Sequence, residues 1–322
     1  MINTLVKAMP LEAMNAPLFS IITPCLNRVE YIRDAVESVL AQKYISFEHI
    51  IVDGGSTDGT LEILKQYPHL QVQVGQDQGM YDALNRGLKL AKGEIIGFLN
   101  SDDLYVEDAF AIIDEKFRKQ NILTVAGGAL IFTESPDGEI KNIRSYSQQG
   151  NSLLEISTIG DPYFNAWFFH RSIFDKIGNF NIHYRIAADR EFMLRYALSG
   201  LNYITINNSV YRYRKHADSM TLGLTDPKLQ RIIDENIYIT SDYLEKKNLP
   251  REARKLISLF RTGETTAMAA SCLKKFNLLK FVYYSKRGIK YDPFWFLNLI
   301  RRAAHKKPRG YFKYSRHRLG CS

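Results

Sequence analysis

Cysteine is scarce. Among 322 residues there are three, Cys25, Cys272 and Cys321. They are far apart and odd in number, and no Cys-x-x-Cys or Cys/His cluster accompanies them. Neither a disulfide framework nor a zinc site is therefore supported, and a reducing cytoplasm is the default setting. Long apolar runs are missing too. None approaches the roughly 18 residues of a membrane-spanning helix. The opening MINTLVKAMPLEAMNAP has one Lys and no apolar stretch long enough for a signal peptide. The expectation is a cytoplasmic chain, soluble or peripheral at the inner face of the membrane. Proline and glycine, 10 and 20 residues, are too few for a disordered chain. Acidic residues thin out toward one end. Residues 251–322 hold 18 Lys/Arg against 3 Asp/Glu, although the whole chain carries only +9. That asymmetry points to an anionic partner for the basic end.

What is present is material for a large core: 45% apolar residues, with 18 Phe and 19 Tyr. Leu18–Thr23 and Phe47–Val52 are short, β-branched apolar runs that read as buried strands, as do Leu70–Val74 and Ile95–Leu99. Between them, Arg28–Gln42, Thr60–Tyr67 and Met80–Ala91 carry apolar residues at helical spacing. Such alternation predicts βαβ units around a mostly parallel sheet. After about Asn121 the pattern changes to two strands around a turn at Ser135–Gly138. Helical patterns return at Ser172–Ile177 and Asp189–Ser199, then a strand at Tyr203–Ile206. From Pro227 onward the chain reads mainly helical.

Ligands of open α/β sheets bind outside the carboxyl ends of the strands. Asp53 directly follows one buried strand, and Asn100-Ser101-Asp102-Asp103 follows another. Taken singly, Asp and Asn are also ordinary turn residues. Two adjacent carboxylates after a buried strand repel each other and lose hydration, and a hard cation relieves both costs. Mg²⁺ or Mn²⁺ takes one or two carboxylates plus substrate phosphates, which suits a nucleoside diphosphate. The glycine-rich Gly54–Gly59 lacks the spacing of a P-loop or a dinucleotide fingerprint. By itself it reads as a tight turn, with Thr57 or Asp58 capping the next helix.

PLFSIITPCLN, HIIVDGGSTDGTLEIL and DQGMYDALNRGLKLAKGEIIGFLNSDD resemble, in order and spacing, family 2 glycosyltransferases of the GT-A fold over roughly residues 18–103. WFFHRSIFDKIGNFNIHYRIAADREFMLRYALSG resembles the acceptor-side segment of bacterial members that build surface polysaccharides. The resemblance implies a GT-A domain over 17–225; an N-terminal arm over 1–16 and a basic, mainly helical extension over 226–322 are expected outside it. The fold would be a Rossmann-like, mostly parallel sheet flanked by helices. It implies inverting transfer from a nucleoside-diphosphate sugar, aided by Mn²⁺ or Mg²⁺. Asp53 matches the carboxylate that reads the nucleobase, and Thr23, Pro24 and Asn27 fall in the first nucleotide-contact loop. Asp77, Asp82 and Asn85 match a segment that lines the donor side. The Asp-x-Asp element stands here as Asn-Ser-Asp-Asp, with Asp103 the direct metal ligand and Asp102 toward the ribose.

An acceptor hydroxyl needs a proton acceptor as it attacks. Asp189 resembles the family's general base. Its place at a helix start also fits a plain helix cap, and Glu191 competes for the role. Arg190 is a candidate partner for a phosphate or an acceptor charge. His216 resembles a late histidine that completes the metal site in several GT-A enzymes, yet a lone His is also an ordinary surface or core residue. Arg212, Arg214 and Lys215 are alternative diphosphate holders. Trp167–His170 reads as core packing before sugar stacking. The basic, aromatic segment from Phe276 onward fits either an anionic membrane interface or a helical cap with a solvated face. No nucleic-acid module is present. The implied partners are thus a nucleotide-sugar donor and a saccharide or lipid-linked saccharide acceptor. A sugar-phosphate nucleotidyltransferase and a non-catalytic nucleotide-sugar binder are the rival classes.

Overall fold

The computed structural model describes residues 18–44, 46–119, 122–135, 139–148, 152–160, 162–216 and 226–304. The arm over 1–16, the turn at 136–138 and the basic stretch 305–322 lie outside the described residues.

The first half is wound as the alternation predicts. Strands β1 (Phe19–Cys25), β2 (Phe47–Asp53), β3 (Leu70–Val74) and β4 (Ile95–Phe98) alternate with helices α1 (Ile32–Leu40), α2 (Thr60–Leu64) and α3 (Met80–Leu90). These four strands pair in parallel in the order β3-β2-β1-β4. β1, β2 and β4 carry almost unbroken runs of buried residues because their sheet is covered on both faces.

Beyond β4 the sheet changes direction. The short β5 (Leu104–Tyr105) and helix α4 (Ala109–Lys119) lead to β6 (Thr124–Glu134) and β7 (Ile140–Tyr146). Then follow α5 (Leu153–Thr158), β8 (Trp167–His170), α6 (Ser172–Ile177), α7 (Ala188–Ser199) and β9 (Ile204–Arg214). The sheet continues from β4 as β8-β6-β9-β5, with β7 on β6. β8 is antiparallel to both β4 and β6, and β5 to β9. Trp167, Phe168 and Phe169, the aromatic cluster of the sequence, are this inner strand and are fully buried. The strand read at Tyr203–Ile206 runs on to Arg214 because it gains a partner in β5.

Four helices close the described chain: α8 (Asp226–Leu244), α9 (Arg251–Lys274), α10 (Leu278–Ile289) and α11 (Trp295–Ala304). None is long and apolar enough to cross a membrane. The fold is thus α/β, with a mixed sheet whose first half is parallel and a helical C-terminal region.

Two compact units emerge. One gathers the chain up to Ala129 with Asn165–Gly178 and Asn202–Tyr213. The other holds Leu130–Phe164, Asn179–Leu201 and the chain from Arg214 on. In the first, Phe19 stacks on Phe110 at 4.9 Å between ring centres and meets Phe168 edge-on. In the second, Ile233, Ile237, Met268, Tyr284 and Trp295 join α8, α9, α10 and α11.

Helix α3 lies directly on β1, and Gly87 makes that approach possible. A Cβ built there would stand 2.3 Å from Ile22 Cγ2. Gly87→Ala should force the two elements apart and lower stability by about 1–3 kcal/mol. Urea denaturation checks this; an unchanged midpoint would show the helix free to shift.

Candidate active site

The edge is built by register. β1 lies between β2 and β4, all parallel, with Cys25 opposite Asp53 and Ile22 opposite Phe98. The loops that leave these strands therefore emerge side by side. Pro24–Asn27, Asp53 and Asn100–Asp103 share one sheet edge. β3 pairs Val74 with Asp53 and adds Asp77 to the same edge. Asp82 and Asn85 follow in the first turns of α3. The structure thus sets Pro24, Asn27, Asp53, Asp77, Asp102 and Asp103 at one sheet edge, with Asp82 and Asn85 on α3 after it and Thr23 inside β1.

The loops are laced to each other. Asp53 is fully buried at the end of β2. Its Oδ1 accepts from the Gly55 and Ser56 amides at 2.9 and 2.7 Å, and its Oδ2 from Ser56 Oγ at 2.6 Å. Ser56 Oγ in turn accepts from the Asn27 amide at 2.7 Å. Asn27 Oδ1 accepts from the Thr57 amide at 2.9 Å, and Asp58 Oδ2 from the Val29 amide at 3.0 Å. Asn27 sits at φ +52°, a left-handed conformation that Asn tolerates better than most residues. Gly55 and Gly59, near φ +100°, turn the second loop where a side chain would be strained. Asp58 rather than Thr57 takes the Thr60 amide at the start of α2.

Thr23 is fully buried, and its hydroxyl bonds His49 Nε2 at 2.9 Å inside the sheet. Burial holds His49 far below the ordinary imidazole range, at about 3. The Cys25 thiol is pushed strongly upward by burial and by the Asp53 charge, so it is inert. Asp77 Oδ1 accepts from the Gly79 amide at 2.8 Å. Its other oxygen lies against Gly54, 2.8 Å from where a Cβ would stand. Asp82 accepts from the Gln78 amide at 3.0 Å and pairs with Arg86 at 2.8 Å.

The acidic pair is unequal. Asp103 is buried, at 3% exposure, whereas Asp102 is only half-buried. Asp103 Oδ2 accepts from Tyr211 Oη at 2.9 Å and from Asn100 Nδ2 at 2.9 Å. Tyr211 Oη also accepts from the Asn100 amide and from Asn165 Nδ2, both at 3.1 Å. That fills its one donor and two acceptor positions. Burial, then the Asp103 charge, holds the phenol protonated, so it remains a donor. Tyr211 reaches Asp103 because β9 pairs with β5, immediately after the acidic loop. Sequence reasoning missed the roles of Tyr211 and Asn165. A separation of 108 residues leaves no local signal.

No group of three His, Cys, Asp or Glu suited to a metal occurs among the described residues. The oxygen donors present still fit a hard cation whose remaining ligands come from phosphates and water.

Asp189 and His216 lie in the second unit. Asp189 is half-buried in the first turn of α7, where the helix dipole favours its charge. The turn before it is fixed by Glu235 of α8, which accepts from the amides of Arg185, Ile186 and Ala187 at 3.0, 2.9 and 2.8 Å. Glu191, the competing base, is buried and accepts from Tyr243 Oη at 2.9 Å and from Arg195. Arg190 is buried too. It donates to the Ser157 and Thr158 carbonyls and lies over Phe260, so it serves packing rather than a phosphate. Arg214 is likewise buried, paired with Glu134 over Phe132. His216 follows it and is half-buried.

Residues 20–178 match the model of glycosyl transferase family 2. A PGL/p-HBAD biosynthesis glycosyltransferase of Mycobacterium tuberculosis is 32% identical over 191 residues, 56% of this chain and 70% of the relative. The chain resembles the crystal structure of S. aureus TarS 1-349 in complex with UDP-GlcNAc, with TM-score 0.62 and 19% identity. That match covers 88% of this chain and 82% of the other. It also resembles the mannosyltransferase PcManGT from Pyrobaculum calidifontis in complex with GDP-Man and Mn²⁺. There the TM-score is 0.55 and the identity 16%, over 91% and 88% of the two chains. These two structures share its fold, which is GT-A like. The chain belongs to glycosyltransferase family 2, and it is a glycosyltransferase.

Tyr211→Phe leaves the ring in place but takes the hydroxyl from Asp103 and Asn100. Loss of bonds to a buried carboxylate should cost about 1–3 kcal/mol. Urea denaturation reads this, and a variant as stable as the parent would remove Tyr211 from the support of Asp103.

Proposed function

We propose that the protein transfers a sugar, with inversion, from a nucleoside-diphosphate sugar to the hydroxyl of a lipid-linked saccharide. The setting is bacterial lipopolysaccharide, capsule or exopolysaccharide assembly. One observation carries the reading: parallel pairing of β2, β1 and β4 gathers Asp53 and the Asn100–Asp103 loop on a single edge.

In this reading the laced loops of Asn27 and Asp53 form the floor for the base and ribose, with Asp77, Asp82 and Asn85 beside them. Asp102 and Asp103 would hold Mn²⁺ or Mg²⁺, with His216 as a further ligand. As the resemblance implies, Asp103 would be the direct ligand, steadied by Tyr211, and Asp102 would face the ribose. When bound, the cation supplies charge neutralisation for the departing diphosphate. Asp189 accepts the proton of the acceptor hydroxyl. The hydroxyl oxygen attacks the anomeric carbon, and the bond to the diphosphate breaks with its electron pair leaving on the nucleotide. A single displacement inverts the anomeric configuration. The half-exposed place of Asp189 at the start of α7, against the burial of Glu191, supports Asp189 as the base. The Mycobacterium tuberculosis relative, a PGL/p-HBAD biosynthesis glycosyltransferase, supports a bacterial glycoconjugate setting.

UDP-sugars and GDP-sugars are the first donors to test, because the solved relatives hold them. A thermal-shift screen of UDP-, GDP-, CMP- and dTDP-sugars should give stabilisation by one of them that grows with Mn²⁺. Asp103→Asn should abolish the Mn²⁺ increment. Stabilisation by none would overturn the donor assignment. Asp189→Asn should keep donor stabilisation but lower kcat by about 100- to 10,000-fold. Transfer at the parent rate would remove Asp189 as base, and release of pyrophosphate instead of nucleoside diphosphate would make the protein a nucleotidyltransferase.

A further inference from the structure

The corner between α9 and α10 exposes apolar side chains that the fold does not use. Residues Leu273–Lys280 are all exposed. Phe276 and Leu279 are 89% and 88% exposed, and Leu273 and Leu278 stand beside them. Lys274, Lys275 and Lys280 are interspersed.

Phe276 is the telling residue. Helix α9 ends in a Schellman turn: the Phe276 amide donates to the Leu273 carbonyl at 3.1 Å, and the Asn277 amide to the Cys272 carbonyl at 2.9 Å. The residue at Phe276 must then adopt positive φ, here +53°. Glycine is the usual occupant, and a bulky residue there is strained. Asn277 next caps α10, its Oδ1 accepting from the Lys280 amide at 3.1 Å. The turn is therefore fixed by its backbone and by Asn277. The phenyl ring adds strain and exposed apolar surface with no packing in return. Strain retained where the fold gains nothing from it points to a function for the ring.

The same character continues along α10. Its inner side buries Tyr284 and Gly288, while Val282, Tyr283 and Ile289 are exposed. Leu273–Lys290 contains six Lys/Arg and no Asp/Glu. A second copy would set lysines against lysines across the contact. The chain's own end is opposed by the same repulsion, since residues 305–322 hold six Lys/Arg and no acid. An anionic lipid surface satisfies both features, taking aromatic and aliphatic side chains at the acyl boundary and lysines at the phosphates.

We propose that the α9–α10 corner docks on an anionic bilayer, with Phe276, Leu278 and Leu279 inserted and Lys274, Lys275 and Lys280 on the lipid phosphates. This deepens the reading of a lipid-linked acceptor. Vesicle binding tests it without donor or acceptor, so its failure would leave the transfer chemistry standing.

The test is co-sedimentation of the full chain with phosphatidylcholine vesicles, with and without phosphatidylglycerol. Binding should require phosphatidylglycerol and weaken with salt. Replacing Lys274, Lys275 and Lys280 by Ala should lower partitioning on the order of 100-fold. Phe276→Gly should melt at or above the parent temperature, because it relieves the turn, and yet bind vesicles more weakly. Loss of binding without loss of fold is the signature of docking. Three results would overturn the proposal: no binding to anionic vesicles, undiminished binding by Phe276→Gly and Leu279→Ser, or a parent dimer that Phe276→Gly dissociates.

Discussion

Parallel pairing of β1 with β2 on one side and β4 on the other is the constraint on which the first unit depends. Parallel strands start at one edge and finish at the other, so their outgoing loops must meet. The register sets Cys25 beside Asp53 and brings the Asn100–Asp103 loop out next to them. Everything polar at that edge then has to be satisfied locally. Asp53 does this for its own loop and, through Ser56, for the loop of Asn27. The resulting edge is ordered by its own hydrogen bonds, before any ligand contributes. A preordered edge loses less entropy when it binds.

Burial divides labour between like residues in both units. Asp103 is enclosed and held by Tyr211 and Asn100, while its neighbour Asp102 is left more open. In α7, Glu191 is buried against Tyr243 and Arg195, whereas Asp189 is half-buried at the helix start. In each pair one carboxylate is buried and the other is half-exposed. Glu235 has a supporting part as well: by taking three successive amides it fixes the chain leading into α7.

Much of this was legible beforehand. The runs at Phe19–Cys25, Phe47–Asp53 and Ile95–Phe98 are apolar enough to be inner strands, and their acidic turns follow at once. Helical spacing located α1, α2 and α3 and the helical C-terminal region. The second half of the sheet was harder to read. Trp167–His170 is four residues long, and its aromatic content suits any buried segment. β5 is two residues long and exists because β9 lies beside it. Neither has a period to detect.

The α/β class, the acidic edge and the family are legible in the chain before it folds, because each is written in short stretches where neighbouring residues carry the signal. Tertiary structure alone decided that Tyr211 and Asn165 brace the Asp103 loop, that Glu235 fixes the approach to Asp189, and that Glu191 and Arg190 are spent on packing. Those partners lie about 30 to more than 100 residues apart. Their bonds form only after strand pairing and helix packing have closed the intervening chain, and no local pattern encodes that closure.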